Sequence, residues 1–138
     1  MNDPGSTTPE DSGIDAYGVL ATSMGVELMA ASPERVVARM PVKGNTQPYG
    51  ILHGGASCVL AESAGSVGAA LHAGPDRIAM GIEISATHHR SATEGYVTAV
   101  ATRLHGGRTL ATYDIVISDD QDRRVCTARL TCILRDRP

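Results

Sequence analysis

The chain has no Trp, no Phe and only four Tyr in 138 residues. A core without bulky aromatic anchors must be built from Ala, Val, Ile, Leu and Met, which favours thin, closely packed layers. Cysteine is scarce too. Cys58, Cys126 and Cys132 are too few, and too apolar in setting, for a disulfide framework. No apolar run is long enough to span a bilayer. No positive region followed by an apolar stretch marks a secretory signal, so a cytoplasmic location is expected. A long basic run is also missing. With a net charge of -3, nucleic acid is not an expected partner, because binding it needs a dense set of Lys and Arg. A few local cations can still hold phosphates. His88 and His89, adjacent on a strand, point to opposite faces, and no Cys or His spacing forms a zinc signature, so no metal is expected. Gly-x-Ser-x-Gly, Gly-x-Gly-x-x-Gly and P-loop patterns are absent, which removes the serine-hydrolase and nucleotide-fold readings.

What is present fits one globular domain, 42% hydrophobic and 20% charged. Residues 1–13 are polar and rich in Pro, Gly, Ser and Thr, a flexible leader ahead of a single domain over 14–138. An amphipathic turn is expected from Ile14 to Met24, stopped by Gly25. A hairpin-like pair, Val26 to Ala31 and Arg35 to Val42, follows around Ser32-Pro33. Lys43 to Leu52 reads as a loop. The pattern then predicts one helix from Gly54 to His72, ended by Gly74-Pro75, with Ala56, Leu60, Ala64, Val67 and Leu71 toward the core. Four strands come after it. In the first, Ile82, Ile84 and Ala86 alternate against Glu83, Ser85 and Thr87; in the last, Cys126, Ala128, Leu130, Cys132 and Leu134 share a face. A lone helix on a curved antiparallel sheet is an α+β architecture.

Between Leu52 and Pro75 the only charged residue is Glu62. Beside it, on the face opposite the core stripe, the sequence places Cys58, Gly65, Ser66 and Ala69, all small, so a second copy of the chain is the natural cover. A single carboxylate there is paired, protonated or working. The Gly54-Gly55 start of the helix offers backbone N–H groups to developing negative charge. Gly54 and Glu62 are about 12 Å apart along one helix axis, too far to share one reacting carbonyl. Two antiparallel helices across a homodimer bring Gly54 of one chain to Glu62 of the other, a shared active site.

The stretch Gln47-Pro48-Tyr49-Gly50, His53-Gly54-Gly55 and Glu62-Ser63 resembles the hot-dog-fold thioesterases of the phenylacetate-pathway type, in which a curved antiparallel sheet wraps a long central helix. Within them it is most similar to the aryl branch of 1,4-dihydroxy-2-naphthoyl-CoA thioesterases and the proofreading thioesterases of enterobactin synthesis. Residues 81–97 match that branch as well, and the likeness runs from about Ile14 to Leu134. Two departures are Tyr49, where Phe is usual, and His89, where an apolar residue is commoner.

The resemblance implies hydrolysis of an acyl-CoA, aryl or hydroxyaryl, to the acid and free coenzyme A, with no cofactor beyond the coenzyme A of the substrate. Glu62 would be nucleophile or general base, and Gly54 N–H would polarise the thioester oxygen. Gln47 and His53 would orient the thioester or water, and Ser66 would support Glu62. Gly55, His88, Arg90 and Ser91 would meet the substrate and its coenzyme A arm. It also implies a homo-oligomer, a dimer-of-dimers tetramer. Plainer roles stay open: loop closure for Gln47, a satisfied helix-start ring for His53, interface filler for Ser66, a core histidine for His88 and a solvated strand end for Arg90. The competing functions are a non-catalytic acyl-CoA binder and an enoyl-thioester hydratase, which typically pairs Asp with His.

Overall fold

The computed structural model describes residues 18–138; the leader expected at 1–13 and the domain start at Ile14 lie outside them. A short helix, α1 (Gly18–Ser23), covers the later part of the expected amphipathic turn. The hairpin around Ser32-Pro33 is present as β1 (Glu27–Ala31) and β2 (Arg35–Pro41). Its turn is closed by Ser32, whose N–H donates to Arg35 O at 2.9 Å and whose hydroxyl accepts from Arg35 N at 3.1 Å. Then come α2 (Gly54–Ala73), β3 (Arg77–His88), β4 (Tyr96–Gly106), β5 (Leu110–Asp119) and β6 (Arg124–Asp136). All strand pairings are antiparallel, and the six-stranded sheet runs β1-β2-β4-β5-β6-β3. β3 therefore leaves the end of α2 and crosses to the far edge. Every strand touches the helix, so the sheet wraps it. This is the expected α+β arrangement.

Strand alternation decides which side chains reach α2. β2 sends Val36, Ala38 and Met40 inward, β4 Val97, Ala99 and Ala101, and β5 Ala111, Tyr113, Ile115 and Ile117. On β6 the buried set is the expected one, Cys126, Ala128, Leu130, Cys132 and Leu134. From α2, Ala56, Leu60, Ala64 and Val67 meet them, while Leu71 is half-buried at the rim.

Two expectations of phase fail. Gly65 and Ala69 were placed on the outer face of the helix, yet both are buried against the chain's own sheet. The sheet curves further around α2 than a flat layer would, leaving Cys58, Glu62 and Ser66, with Val59, Ser63 and Ala70 beside them, not fully covered. On β3, Ile82 was expected in line with Ile84 and Ala86. It is instead 57% exposed. The register with β6 steps from Gly81↔Cys132 to Glu83↔Thr131, so one extra residue, a β-bulge, reverses the parity between them.

Gly68 shows how close helix and sheet lie. A Cβ there would sit 2.6 Å from Tyr113 Cε1 and 2.7 Å from Cζ. The same ring is tied to the first hairpin, because Tyr113 OH donates to Pro33 O at 2.5 Å. Burial pushes this phenol well above its usual pKa. Gly→Ala in a helix interior normally gains about 1 kcal/mol of propensity, but overpacking a fixed ring costs about 1–3 kcal/mol. Gly68→Ala should therefore lower the urea midpoint despite its better helix propensity, a result that urea titration followed by circular dichroism would read.

Candidate active site

The loop at 43–52 is held by Asn45, whose side-chain amide donates to Met24 O and to Pro41 O, each at 2.8 Å. Its backbone carbonyl accepts from His53 N at 2.9 Å, which fixes where α2 begins. Inside the loop, Gln47 N donates to Ile51 O at 2.8 Å and Gly50 N to Gln47 O at 3.0 Å. The Gln47 carboxamide oxygen accepts from Tyr49 N. The amide NH2 of Gln47 is thus left to donate outward.

His53 is the N-cap of α2, with extended backbone at φ -67 and ψ 132. Its Nδ1 accepts from Gly55 N at 2.8 Å. With Nδ1 accepting, the neutral ring carries its proton on Nε2, facing away from the helix end. His53 O takes Ala56 N and Ser57 N at 2.9 and 3.3 Å. Of the two glycines, then, Gly55 has its N–H engaged, while Gly54 N–H has no acceptor among the described residues. Gly54 also lies against His88: a Cβ there would meet His88 Nε2 at 2.9 Å. His88 follows Ile84 and Ala86 on the helix-facing side of β3, but it is exposed and its ring makes no hydrogen bond among the described residues.

These residues border one cleft of about 300 Å3, lined among others by Gln47, Gly54, Ser57, His88, Arg90 and Ser91. Its lining includes Arg90 and no carboxylate. His89 follows the end of β3 and borders the same cleft, with Nε2 2.9 Å from Thr127 Oγ1. Ser57, 1% exposed, was not singled out from sequence. It stands one turn after Gly54 and so shares its face.

Glu62 and Ser66 are absent from that lining. They lie two and three turns further along α2, over the junction of β3 and β6. A Cβ on Gly81 would meet Glu62 Oε1 at 2.8 Å and Leu130 Cδ1 at 3.3 Å. Glu62 is exposed and its carboxylate makes no hydrogen bond or ion pair among the described residues. Its charge is felt nearby. The Cys58 thiol is pushed up first by burial and then by Glu62, and Cys132 is pushed to about 11 by the same two causes, against a Ser66 hydrogen bond that lowers it. One chain therefore carries the two halves of the expected site apart: a donor N–H at the cleft, and a carboxylate with a serine beyond its reach. Among the described residues no cluster of three His, Cys, Asp or Glu is poised for a metal, and no helix is long and apolar enough to cross a membrane.

The thioesterase superfamily model matches residues 49–126. The proofreading thioesterase EntH of Cronobacter turicensis is 43% identical over 117 residues, 84% of this chain and 85% of that protein. A Haemophilus influenzae thioesterase crystal structure superposes with a TM-score of 0.87 at 32% identity, covering 94% of this chain and 92% of that one. A thioesterase from Staphylococcus aureus, 33% identical with a TM-score of 0.80 over 84% of this chain and 98% of that one, is known with alanine in place of a glutamine. A second structure of it has alanine in place of a glutamate. With the wrapped-helix fold and these matches together, the chain belongs to the thioesterase superfamily and has its hot-dog fold.

Proposed function

We propose that the chain hydrolyses acyl-CoA thioesters, aryl or hydroxyaryl ones foremost, with Glu62 as the catalytic carboxylate and Gly54 N–H as the oxyanion donor. The observation that carries this is the state of α2: among the described residues its first-turn N–H has no acceptor and its single carboxylate has no partner. Substitution of a glutamine and a glutamate in the Staphylococcus aureus thioesterase supports it, because those two positions have the same separation as Gln47 and Glu62 here.

Glu62 takes a proton from water as the water oxygen attacks the thioester carbon; direct attack by the carboxylate is the other route. The oxygen that gains charge accepts from Gly54 N–H, at the positive end of the helix dipole. Collapse breaks the C–S bond, and the proton held by Glu62 passes to the departing sulfur. Gln47 NH2 and His53 Nε2–H are donors for the thioester or the water, and Ser66 supports Glu62. His88, Arg90, Ser91 and Gly55 border the path of the coenzyme A arm, where Arg90 meets a phosphate.

The active unit is a homodimer, two of which form a tetramer. Glu62 cannot reach its own Gly54, and β3 is a sheet edge that presents Met80 and Ile82, 44% and 57% exposed. An apolar, unpaired edge is where a second strand pairs. The cytoplasm is the assigned location, where the free thiols of Cys58, Cys126 and Cys132 persist.

The test is release of free thiol from benzoyl-CoA and 1,4-dihydroxy-2-naphthoyl-CoA, read with a chromogenic disulfide reagent. Aryl substrates should exceed acetyl-CoA in kcat/KM by about tenfold or more, since a pocket gains with each apolar group it buries. Equal rates on all esters would remove the aryl preference. Thiol release from none of them would remove the coenzyme A assignment.

A further inference from the structure

We propose that Gly81, together with the bulge at Ile82, is the seat of the Glu62 carboxylate, and that Gly81 is a positioning residue for hydrolysis. This rests on the reading of Glu62 as the catalytic carboxylate and goes beyond it.

β3 lies under the exposed line of α2. The inward residues of β3 on one side of the bulge are Ala79 and Gly81, opposite Leu134 and Cys132 of β6. On the other side they are Ile84, Ala86 and His88, opposite Leu130, Ala128 and Cys126. Odd positions face the helix before the bulge and even positions after it. Without the extra residue, the alternation set by Ile84 and Ala86 would bring Ile82 under Glu62. Its branched side chain would fill the space the carboxylate occupies. With the bulge, Ile82 turns outward and a glycine takes the inward place.

The contact is tight enough to exclude any other residue without a shift. A Cβ on Gly81 would lie 2.8 Å from Glu62 Oε1, 3.4 Å from Glu62 Cδ and 3.3 Å from Leu130 Cδ1. The carboxylate is the softer side of that clash, since Leu130 is buried in the core and Glu62 is exposed. A side chain at position 81 would therefore move Glu62 before it moved Leu130. Around the seat stand Cys58 and Ser66, one turn to either side of Glu62, and Cys132, opposite Gly81. Burial first, and the Glu62 charge after it, pushes the Cys58 and Cys132 thiols up. Bulges commonly re-aim groups beside active sites. Here the bulge clears room for one.

The test is Gly81→Ala measured alone and in the Glu62→Asp background, with Glu62→Gln and Gly68→Ala beside it. A misplacement of about 1 Å costs on the order of a hundredfold in rate. Gly81→Ala should thus lower kcat by about ten- to a hundredfold and leave KM within about twofold. In the Glu62→Asp background, where the carboxylate is drawn back by one methylene, the same substitution should cost less than about threefold. Gly68→Ala should lose stability and keep kcat.

If Gly81→Ala alone folds poorly, adding Leu130→Val relieves the apolar half of the contact, and kcat should stay low in the folded double variant. Wild-type kcat in Gly81→Ala, or an equal loss in both Glu62 and Asp backgrounds, overturns the seat. With Glu62→Gln inactive in the same experiment, that result leaves the role of Glu62 intact. Activity retained in Glu62→Gln removes both.

Discussion

Glu62→Gln should lower kcat by about 10²–10⁴-fold while the fold stays as it is. The expected loss, about 2.7–5.4 kcal/mol of transition-state stabilisation, contrasts with a stability change of about 0.5 kcal/mol or less. The two differ so widely because Glu62 is exposed and its carboxylate makes no hydrogen bond or ion pair among the described residues. No structural bond is lost with its charge. What disappears is the ability to accept a proton from water or to attack carbon. Gln keeps the length and the seat over Gly81, so the comparison isolates the charge. Thiol release in single turnover, alongside a thermal melt, reads both quantities. Full turnover in Glu62→Gln would remove the assignment.

Mixing two inactive variants should restore activity. Gly54→Pro removes the unengaged N–H at the first helical position, where proline is tolerated because its fixed φ suits the helix. The preceding His53, at φ -67 and ψ 132, already has the extended backbone that a following proline requires. The exposed His88 ring must swing aside, since it is what a Cβ at this position meets. Losing one oxyanion donor costs about 10²–10³-fold. When Gly54→Pro and Glu62→Gln chains are unfolded together and refolded at equal amounts, half the dimers are mixed. In each mixed dimer one site carries both defects and the other carries neither, because Gly54 and Glu62 of a site come from different chains. Activity should rise to about a quarter of the wild-type level, the fraction of intact sites from random pairing. A mixture no more active than its components would mean that each chain completes its own site.

The cleft half of the candidate site was legible because its parts lie close in sequence or at a motif. Gln47 and Gly54 are seven residues apart on a loop and the helix start it leads into, and His88, Arg90 and Ser91 sit together at the end of β3. Composition alone marked Glu62, since no other charge falls on α2. Asn45 was missed because its role, bridging Met24, Pro41 and His53, depends on three segments meeting. Ser57 was missed for want of any pattern beyond its place one turn after Gly54. Gly81 had one available signal, an isolated glycine in a strand pattern, which marks a bulge or a close approach.

The sequence by itself determined the element order, the extent of α2, the inward face of β6, and the single carboxylate of the helix. These are local properties, because periodicity and capping act over a few residues. Tertiary structure decided how far the sheet curls, which buries Gly65 and Ala69, and which residues of β3 face the helix. A strand's two-residue period is reversed by a single inserted residue, and only pairing with β6 reveals that the insertion is Ile82. That choice sets Gly81 rather than Ile82 beneath Glu62.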